Sequence, residues 1–329
     1  MKVLYINTSS SDYVQDLTYS GLVKKFGKKN ILDYKWNPKY HIPYKKYPKN
    51  LGYVNGSFFS FFRSIDFKHI DYVFLSSSKI ESFETYLEVA PKIPSDVPVI
   101  FIDGGDSEEI GQDLEVYGAS NLYDKALSIR PFDFIFKREF FEDKTYDSNV
   151  APLPMSFNFD RLPKISQHYK YDVSFWAVES HPLRTELLKK IEEKYDCYEN
   201  GTTRNQKFSR YKRKGSFYLK ELADCKITIN VRGAGWDTMR YWEVPAVGGF
   251  MLSQKPKIVI PNNFENEKEV VFFKDDLTDL DDLCEYYLKN DLKREAIAKA
   301  GLRKMREHHT DEKRIEYIFE KLDKKISRC

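Results

Sequence analysis

The sequence carries little net charge. Its 53 lysines and arginines are set against 50 aspartates and glutamates, a formal net of +3. That balance disfavours nucleic acid or a membrane surface as a general partner and leaves only local patches to consider. Long apolar runs are missing too: no stretch approaches the roughly 20 residues that span a bilayer, so no membrane span is expected. The opening segment, MKVLYINTSSSDY, turns polar well before the ~7–15 apolar residues of a secretory signal. It reads as a first buried strand, and the expected location is cytoplasmic. Cysteine is scarce, with Cys197, Cys225, Cys284 and Cys329 widely spaced and no C-x-x-C pair. That argues against a zinc ribbon or a disulfide framework. His308-His309 lacks metal-ligand spacing to other histidines or cysteines. No repeat recurs at a period of ~20–50 residues.

What the chain has in excess is aromatic rings: 24 Phe, 23 Tyr and 4 Trp, 16% of 329 residues. Short Val/Ile/Phe runs at Val3–Asn7, Ile31–Trp36, Tyr72–Ser76, Val97–Asp103 and Phe132–Phe136 alternate with polar, helix-compatible stretches. This is the rhythm of a parallel sheet covered by helices. Between Pro38 and Phe62 the pattern fails, and a long aromatic loop or short helices are expected. The stretch Val150–Asn158, with two prolines, and the polar segment after it read as a linker. A second strand–helix series follows: strands at Tyr171–Ala177, Tyr195–Glu199, Lys226–Val231, Phe250–Leu252 and Val270–Phe273. Helices are expected at His181–Lys194 (capped by Ser180), Ser216–Ala223, Tyr241–Val247, Asp279–Lys289, Leu292–Glu307 and Asp311–Lys325. The expected fold is α/β, with two Rossmann-like domains facing a cleft. The expected boundaries are residues 1–157 and 158–310, with 311–329 a separate closing helix.

One segment concentrates the chemistry: Asn230-Val-Arg-Gly-Ala-Gly-Trp-Asp-Thr-Met-Arg-Tyr-Trp-Glu-Val-Pro-Ala-Val-Gly-Gly-Phe-Met-Leu252. A strand end runs through two glycines into a helix that carries Arg240 and Glu243 on one face. Loop amides at a helix N-terminus with an Arg nearby suit a diphosphate, and a carboxylate one turn on suits a ribose diol. Equally, Arg240 and Glu243 can form an i,i+3 ion pair, and Gly248 can cap the helix.

Arg240-Tyr-Trp-Glu243-Val-Pro-Ala-Val-Gly248-Gly249-Phe-Met-Leu resembles the R-x-x-E-x-x-A-x-G-G-x-L segment of spore-maturation-type glycosyltransferases, GT-B-fold enzymes with a group 1 C-terminal domain. The series Glu269–Asp275, Asp281–Lys289, Arg294–Gly301 and His308-His-Thr310 is similar to that domain's later elements. Tyr171–Phe175 and His181-Pro-Leu-Arg184 look like its opening. The resemblance covers about residues 171–320. It implies a nucleotide-diphosphate sugar as donor substrate, a carbohydrate or other hydroxyl-bearing acceptor, and no metal or cofactor. Carried over, Glu243 binds the donor ribose, Gly248 and Gly249 lie beside it, and Arg240 faces the diphosphate. One departure stands out: many retaining relatives have a second Glu eight residues before the ribose Glu, and here that position is Gly235. Arg232 and Asp237 are the candidate substitutes in that loop.

Other candidates follow from leaving-group chemistry. A departing diphosphate needs cations, and Arg232 and Arg240 are expected to supply them. An inverting transfer needs a base. Asp103 and Asp106, around Gly-Gly at a strand end, are candidates for it, against a reading in which they only shape a turn. Trp176, His181 and Thr238 complete the expected donor site, with a core Trp and an exposed first-turn His as the plainer alternatives. The stretch Arg204–Lys214, six basic residues in eleven, is either a solvated loop or an anion-binding surface. The rings of Tyr40–Phe62 are the expected acceptor-stacking region. Competing functions are a non-catalytic nucleotide- or glycan-binding protein of the same fold, a nucleotide-sugar epimerase, and a nucleic-acid-modifying enzyme.

Overall fold

The computed structural model describes residues 1–43, 46–56, 65–192, 194–195 and 215–326. The chain divides into two compact units: residues 1–158, 258–261 and 311–329 in one, and 159–257 with 262–310 in the other.

The first unit is built on six parallel strands. They are β1 (Val3–Ile6), β2 (Ile31–Tyr34), β3 (Tyr72–Leu75), β4 (Val99–Asp103), β5 (Phe134–Lys137) and β6 (Val150–Pro152), in the order β2-β1-β3-β4-β5-β6. β1, β4 and β5 are buried along their whole length. Their continuous apolar runs therefore face helices on both sides, as a parallel sheet requires. β6 corrects the expected linker: Val150-Ala-Pro pairs with Ile135–Lys137. It sits at the sheet edge, the one place a strand tolerates a proline.

Helix α1 (Tyr13–Phe26) starts at Asp12, whose carboxylate accepts from the Gln15 amide at 3.0 Å. It is buried nearly all round, because the last helix, numbered α11 here (Asp311–Ile326), lies along its outer side. At Gly21 a Cβ would stand 2.5 Å from the Asp311 carbonyl oxygen, so only glycine permits this approach. Lys24 bridges to Asp311 at 2.9 Å, and Phe319 packs on Phe26 and Tyr72.

The irregular stretch after β2 opens with a short helix, α2 (Pro38–His41). Tyr40 is fully buried, stacked 3.8 Å from Tyr19, and Tyr47 is buried against Phe157. These two rings belong to the core, which overturns their expected role in stacking on an acceptor. Residues 57–62 of that stretch lie outside the described residues, as do the basic stretch 204–214 and all but the first residue of the strand expected at Tyr195–Glu199. Helices α3 (Ile80–Val89), α4 (Gln112–Val116) and α5 (Asn121–Ile129) complete the unit. Ile258 forms a bridge with Phe141, which brings residues 258–261 into this unit.

The second unit has four parallel strands, β7 (Tyr171–Ser174), β8 (Cys225–Asn230), β9 (Met251–Gln254) and β10 (Val271–Phe273), in the order β10-β9-β8-β7. Its helices are α6 (Pro182–Ile191), α7 (Ser216–Ala223), α8 (Met239–Ala246), α9 (Leu280–Lys289) and α10 (Asp291–His308). The core gathers Val173, Ile227, Ile229, Leu252 and Val271 from the strands with Leu187, Ile191, Cys284 and Ile297 from the helices. No helix among the described residues is long and apolar enough to cross a membrane.

Candidate functional site

The turn from β8 into α8 lies at the C-terminal edge of the second sheet, where open parallel sheets place their ligands. Thr238, with extended backbone, caps α8, and its hydroxyl donates to Asn230 Oδ1 at 2.8 Å. The Asn230 amide in turn donates to Ser253 Oγ on β9. Thr238 thus ties the helix start to the strand ends. The helix finishes in the left-handed turn that glycine favours: Gly248 has φ +78°, its N–H reaches the Pro245 carbonyl, and the Gly249 N–H reaches Val244. A Cβ on Gly249 would stand 3.0 Å from Val244 Cγ1. Both glycines are therefore required by the helix ending itself, whatever binds nearby.

The loop between is clamped by Arg184 from α6. Its Nε and Nη2 donate to the carbonyls of Arg232 (2.7 Å) and Val231 (3.0 Å), and its Nη1 to those of Val178 (2.7 Å) and to Ser180 Oγ. A side chain at Gly233 would meet Arg184 Nη2 at 3.1 Å, so the glycine lets the clamp close. Arg184 entered the sequence reading only within a family-like segment, because its partners are 47 and 48 residues away. The cap of α6 also differs from expectation. It is His181, whose ring Nδ1 accepts from the Leu183 amide at 3.2 Å, while Ser180 is held by Arg184.

Arg240 is 7% exposed. Its Nη2 donates to the Trp176 carbonyl, and its guanidinium lies 5.0 Å from the Phe175 ring centre. Among the described residues, its Nε and Nη1 are buried with no hydrogen-bond partner, and no other side chain leaves two such atoms. Glu243 is 4% exposed and accepts from the Tyr218 hydroxyl at 3.0 Å. Burial first, then the Glu243 carboxylate, pushes that hydroxyl well above its ordinary value, with Arg240 offsetting part of the effect. Tyr218, on α7, was not singled out from sequence. Its ring meets Trp176 edge-on at 6.3 Å. Trp176 itself is 4% exposed and belongs to the interior, not to an open stacking surface.

Arg232 folds back on its own loop. Its guanidinium lies 4.3 Å from the Trp236 ring centre, Nη2 donates to the Ala234 carbonyl, and Nε is buried without a partner among the described residues. Burial first, then the charges of Arg232 and Arg184, holds His181 below its ordinary value. It is therefore a neutral ring beside two cations. Asp237 accepts from the Trp242 indole at 2.7 Å.

The two candidate bases lie in the first unit and are engaged there. Asp103 is 1% exposed; it accepts from Lys137 Nζ at 3.1 Å and from the Gly105 and Gly111 amides. Asp106 is exposed and paired with Arg138. This geometry corrects the expectation for Asp103: its carboxylate holds the turn after β4 together. Among the described residues, no three His, Cys, Asp or Glu side chains cluster as a metal-ligand set.

Comparison with known proteins places this geometry. Residues 184–320 match the family model described as glycosyl transferase-like. No curated protein matches the chain in sequence. Solved structures match over nearly the whole length. An alpha-glucosyltransferase bound to UDP and a 13-mer DNA has a TM-score of 0.59 at 8% identity, covering 98% of each chain. HepE from Anabaena with UDP and glucose has 0.58 at 7%, covering 98% of this chain and 99% of that one. Sucrose-phosphate synthase from Thermosynechococcus elongatus has 0.56 at 9%, covering 100% of both. The identities are low, so these likenesses speak to the fold, and the family match speaks to the second unit that carries Arg184, Arg240 and Glu243. The chain has the two-unit GT-B fold, and its residues 184–320 match the glycosyl transferase-like family.

Proposed function

We propose that this protein transfers a glycosyl group from a nucleotide-diphosphate sugar to a hydroxyl-bearing acceptor, with the donor held at the β8–α8 turn. The observation that carries the proposal is Arg240. A buried guanidinium with two unsatisfied donors costs stability unless something satisfies them. A diphosphate oxygen does so, and out of contact with water the charge-assisted bond is strong. Glu243, three residues on, has the acceptor oxygens a ribose diol needs, and Tyr218 holds one of them in place.

In the reaction the acceptor oxygen forms a bond to the anomeric carbon as the bond to the diphosphate breaks. The electron pair leaves on the phosphate oxygen, and the proton of the acceptor hydroxyl passes to water, so that the products are the glycoside, the nucleoside diphosphate and a hydrated proton. Arg240 and Arg232 are the cations that take up the developing negative charge, with no metal required in this scheme. One such donor is worth ~3–4 kcal/mol of barrier. Arg184 acts as a positioning residue, fixing the carbonyls of 231 and 232 so that the loop presents its amides. Asp103 is unsuited as base because Lys137 and two amides occupy its carboxylate.

UDP is the first probe, since HepE and the alpha-glucosyltransferase were solved with it. By titration calorimetry, Glu243→Ala is expected to weaken UDP binding at least tenfold while the folded state persists. Equal affinity in the two proteins ends the donor-site reading. DNA, present in complexes of the alpha-glucosyltransferase, is the second acceptor reading, alongside a carbohydrate.

A further inference from the structure

The loop that carries Arg232 is held from a second side, by a residue the donor chemistry has not used. β8 and β9 pair in register as far as Asn230 and Ser253. Beyond that the next bond across is made by a side chain. The Arg232 amide donates to Gln254 Oε1 at 3.3 Å, and Gln254 Nε2 donates to Asp275 Oδ1 at 3.0 Å, just past the end of β10. Gln254 is 5% exposed, so its two partners are supplied by the protein and not by bulk water.

A primary amide is the side chain this place requires. One end must accept from an N–H, and the other must donate to a carboxylate. A carboxylate at 254 would face Asp275 as a like charge, and a leucine would satisfy neither group. The consequence falls on Arg232. Gln254 holds the N–H of the peptide before it, and Arg184 Nε holds the carbonyl of the peptide after it at 2.7 Å. Peptides are planar, so fixing both leaves the Arg232 φ and ψ no freedom and sets the direction in which its side chain leaves the loop. The guanidinium then lies 4.3 Å from the Trp236 ring centre. Asp275 Oδ2 is 3.3 Å from Lys257 Nζ, with both side chains exposed. Such a pair contributes little, so the hold depends on the two bonds of Gln254.

We infer that Gln254, oriented by Asp275, is a positioning residue that aims Arg232 at the phosphate departing from the donor. The inference rests on the donor reading for the task of Arg232, and on the hydrogen bonds alone for the hold. It is tested on the full chain by titration calorimetry with UDP and UMP, because UDP has the terminal phosphate that Arg232 is to meet and UMP lacks it. Gln254→Leu is expected to weaken UDP about tenfold and to leave UMP within about twofold. In an Arg232→Met background the same change is expected to cost UDP nothing further, since two residues acting through one contact are not additive. Gln254→Glu alone is expected to lose as much as Gln254→Leu. Gln254→Glu combined with Asp275→Asn rebuilds both hydrogen bonds, with donor and acceptor exchanged in one, and is expected to recover most of the UDP affinity. Hydrogen exchange at the Arg232 amide, read by NMR, is expected to be about tenfold faster in each single Gln254 variant and near wild type in the combination. Three results overturn the inference: Gln254→Leu leaves UDP unchanged or weakens UMP equally, its effect persists undiminished in Arg232→Met, or the combination fails to recover UDP affinity. If wild type binds no UDP, the donor reading fails by itself, and the Arg232 amide alone decides the hold: unchanged exchange in Gln254→Leu removes it.

Discussion

The two units treat buried charge in opposite ways. In the first, Lys137 is fully buried, and its ammonium reaches Asp103 at 3.1 Å and the carbonyls of Ser107 and Glu109 at 2.9 and 3.1 Å. Asp103 in turn holds two amides of the same turn. In the second, Arg240 is almost as buried, yet gives one nitrogen to a carbonyl and, among the described residues, leaves Nε and Nη1 without a hydrogen-bond partner. A satisfied pair holds a fold together. An unsatisfied cation at a strand end is a place kept for something else, because a group costing stability in the free protein has a reason to persist if a ligand completes it. The sequence offered Asp103 as a candidate base against a turn residue, and Arg240 as a diphosphate ligand against a helix ion pair; their surroundings separate them.

Three substitutions and one titration test that contrast, from the largest expected effect to the smallest. Lys137→Met strands the Asp103 carboxylate in the interior and is expected to lower stability by about 3–5 kcal/mol in urea unfolding; a loss under about 1 kcal/mol would dissolve the contrast. Arg240→Met removes a cation with two unsatisfied donors. Its stability is expected to stay within about 1 kcal/mol of wild type or to rise, while the rate of donor consumption falls about 10²–10³-fold. A stability loss as large as that of Lys137→Met marks Arg240 as structural.

Asp16 offers an intermediate case. Burial raises its carboxyl to about 6, with Lys39 at 2.8 Å pulling the other way. A carboxyl raised in the folded state binds more protons there than in the unfolded chain, so its contribution is complete at acid pH and is lost as pH rises toward about 6. The lost amount is about 3 kcal/mol at most. Asp16→Asn is expected to flatten the stability profile between about pH 4 and pH 6, and an unchanged slope removes the assignment. The smallest effect concerns His181. Its proton NMR titration is expected below the ordinary midpoint in the free protein, and UDP is expected to move it upward by offsetting Arg232 and Arg184. A midpoint indifferent to saturating UDP takes His181 out of the donor's surroundings.

Much of the fold was legible in the sequence because strands buried on both faces have to be written as unbroken apolar runs, as at Val99–Asp103 and Val3–Ile6. β6 was not legible, since Val-Ala-Pro between two polar segments has no pattern of its own; only the exposed edge of β5 makes it a strand. The helix cap shifted from Ser180 to His181 for a similar reason: Arg184 engages the serine hydroxyl, and the His181 ring nitrogen accepts the Leu183 amide in its place. Within the candidate site, Arg240, Glu243 and Thr238 could be read because their spacing within one strand–turn–helix already puts them together. Tyr218 could not, because its hydrogen bond to Glu243 spans 25 residues. Nor could Arg184, two of whose anchors are carbonyls 47 and 48 residues away in the loop after β8.

By itself the sequence determined the α/β alternation, the near-neutral charge and the local geometry of the β8–α8 turn. These depend on neighbours within a few residues, where backbone sterics and apolar period act directly. The tertiary structure decided which charges are spent internally and which remain open. It buried the rings of Tyr40 and Tyr47, paired Asp103, and, among the described residues, left two buried nitrogens of Arg240 without a hydrogen-bond partner. Satisfaction of a polar group depends on what long-range packing brings beside it, and a linear pattern carries no term for that.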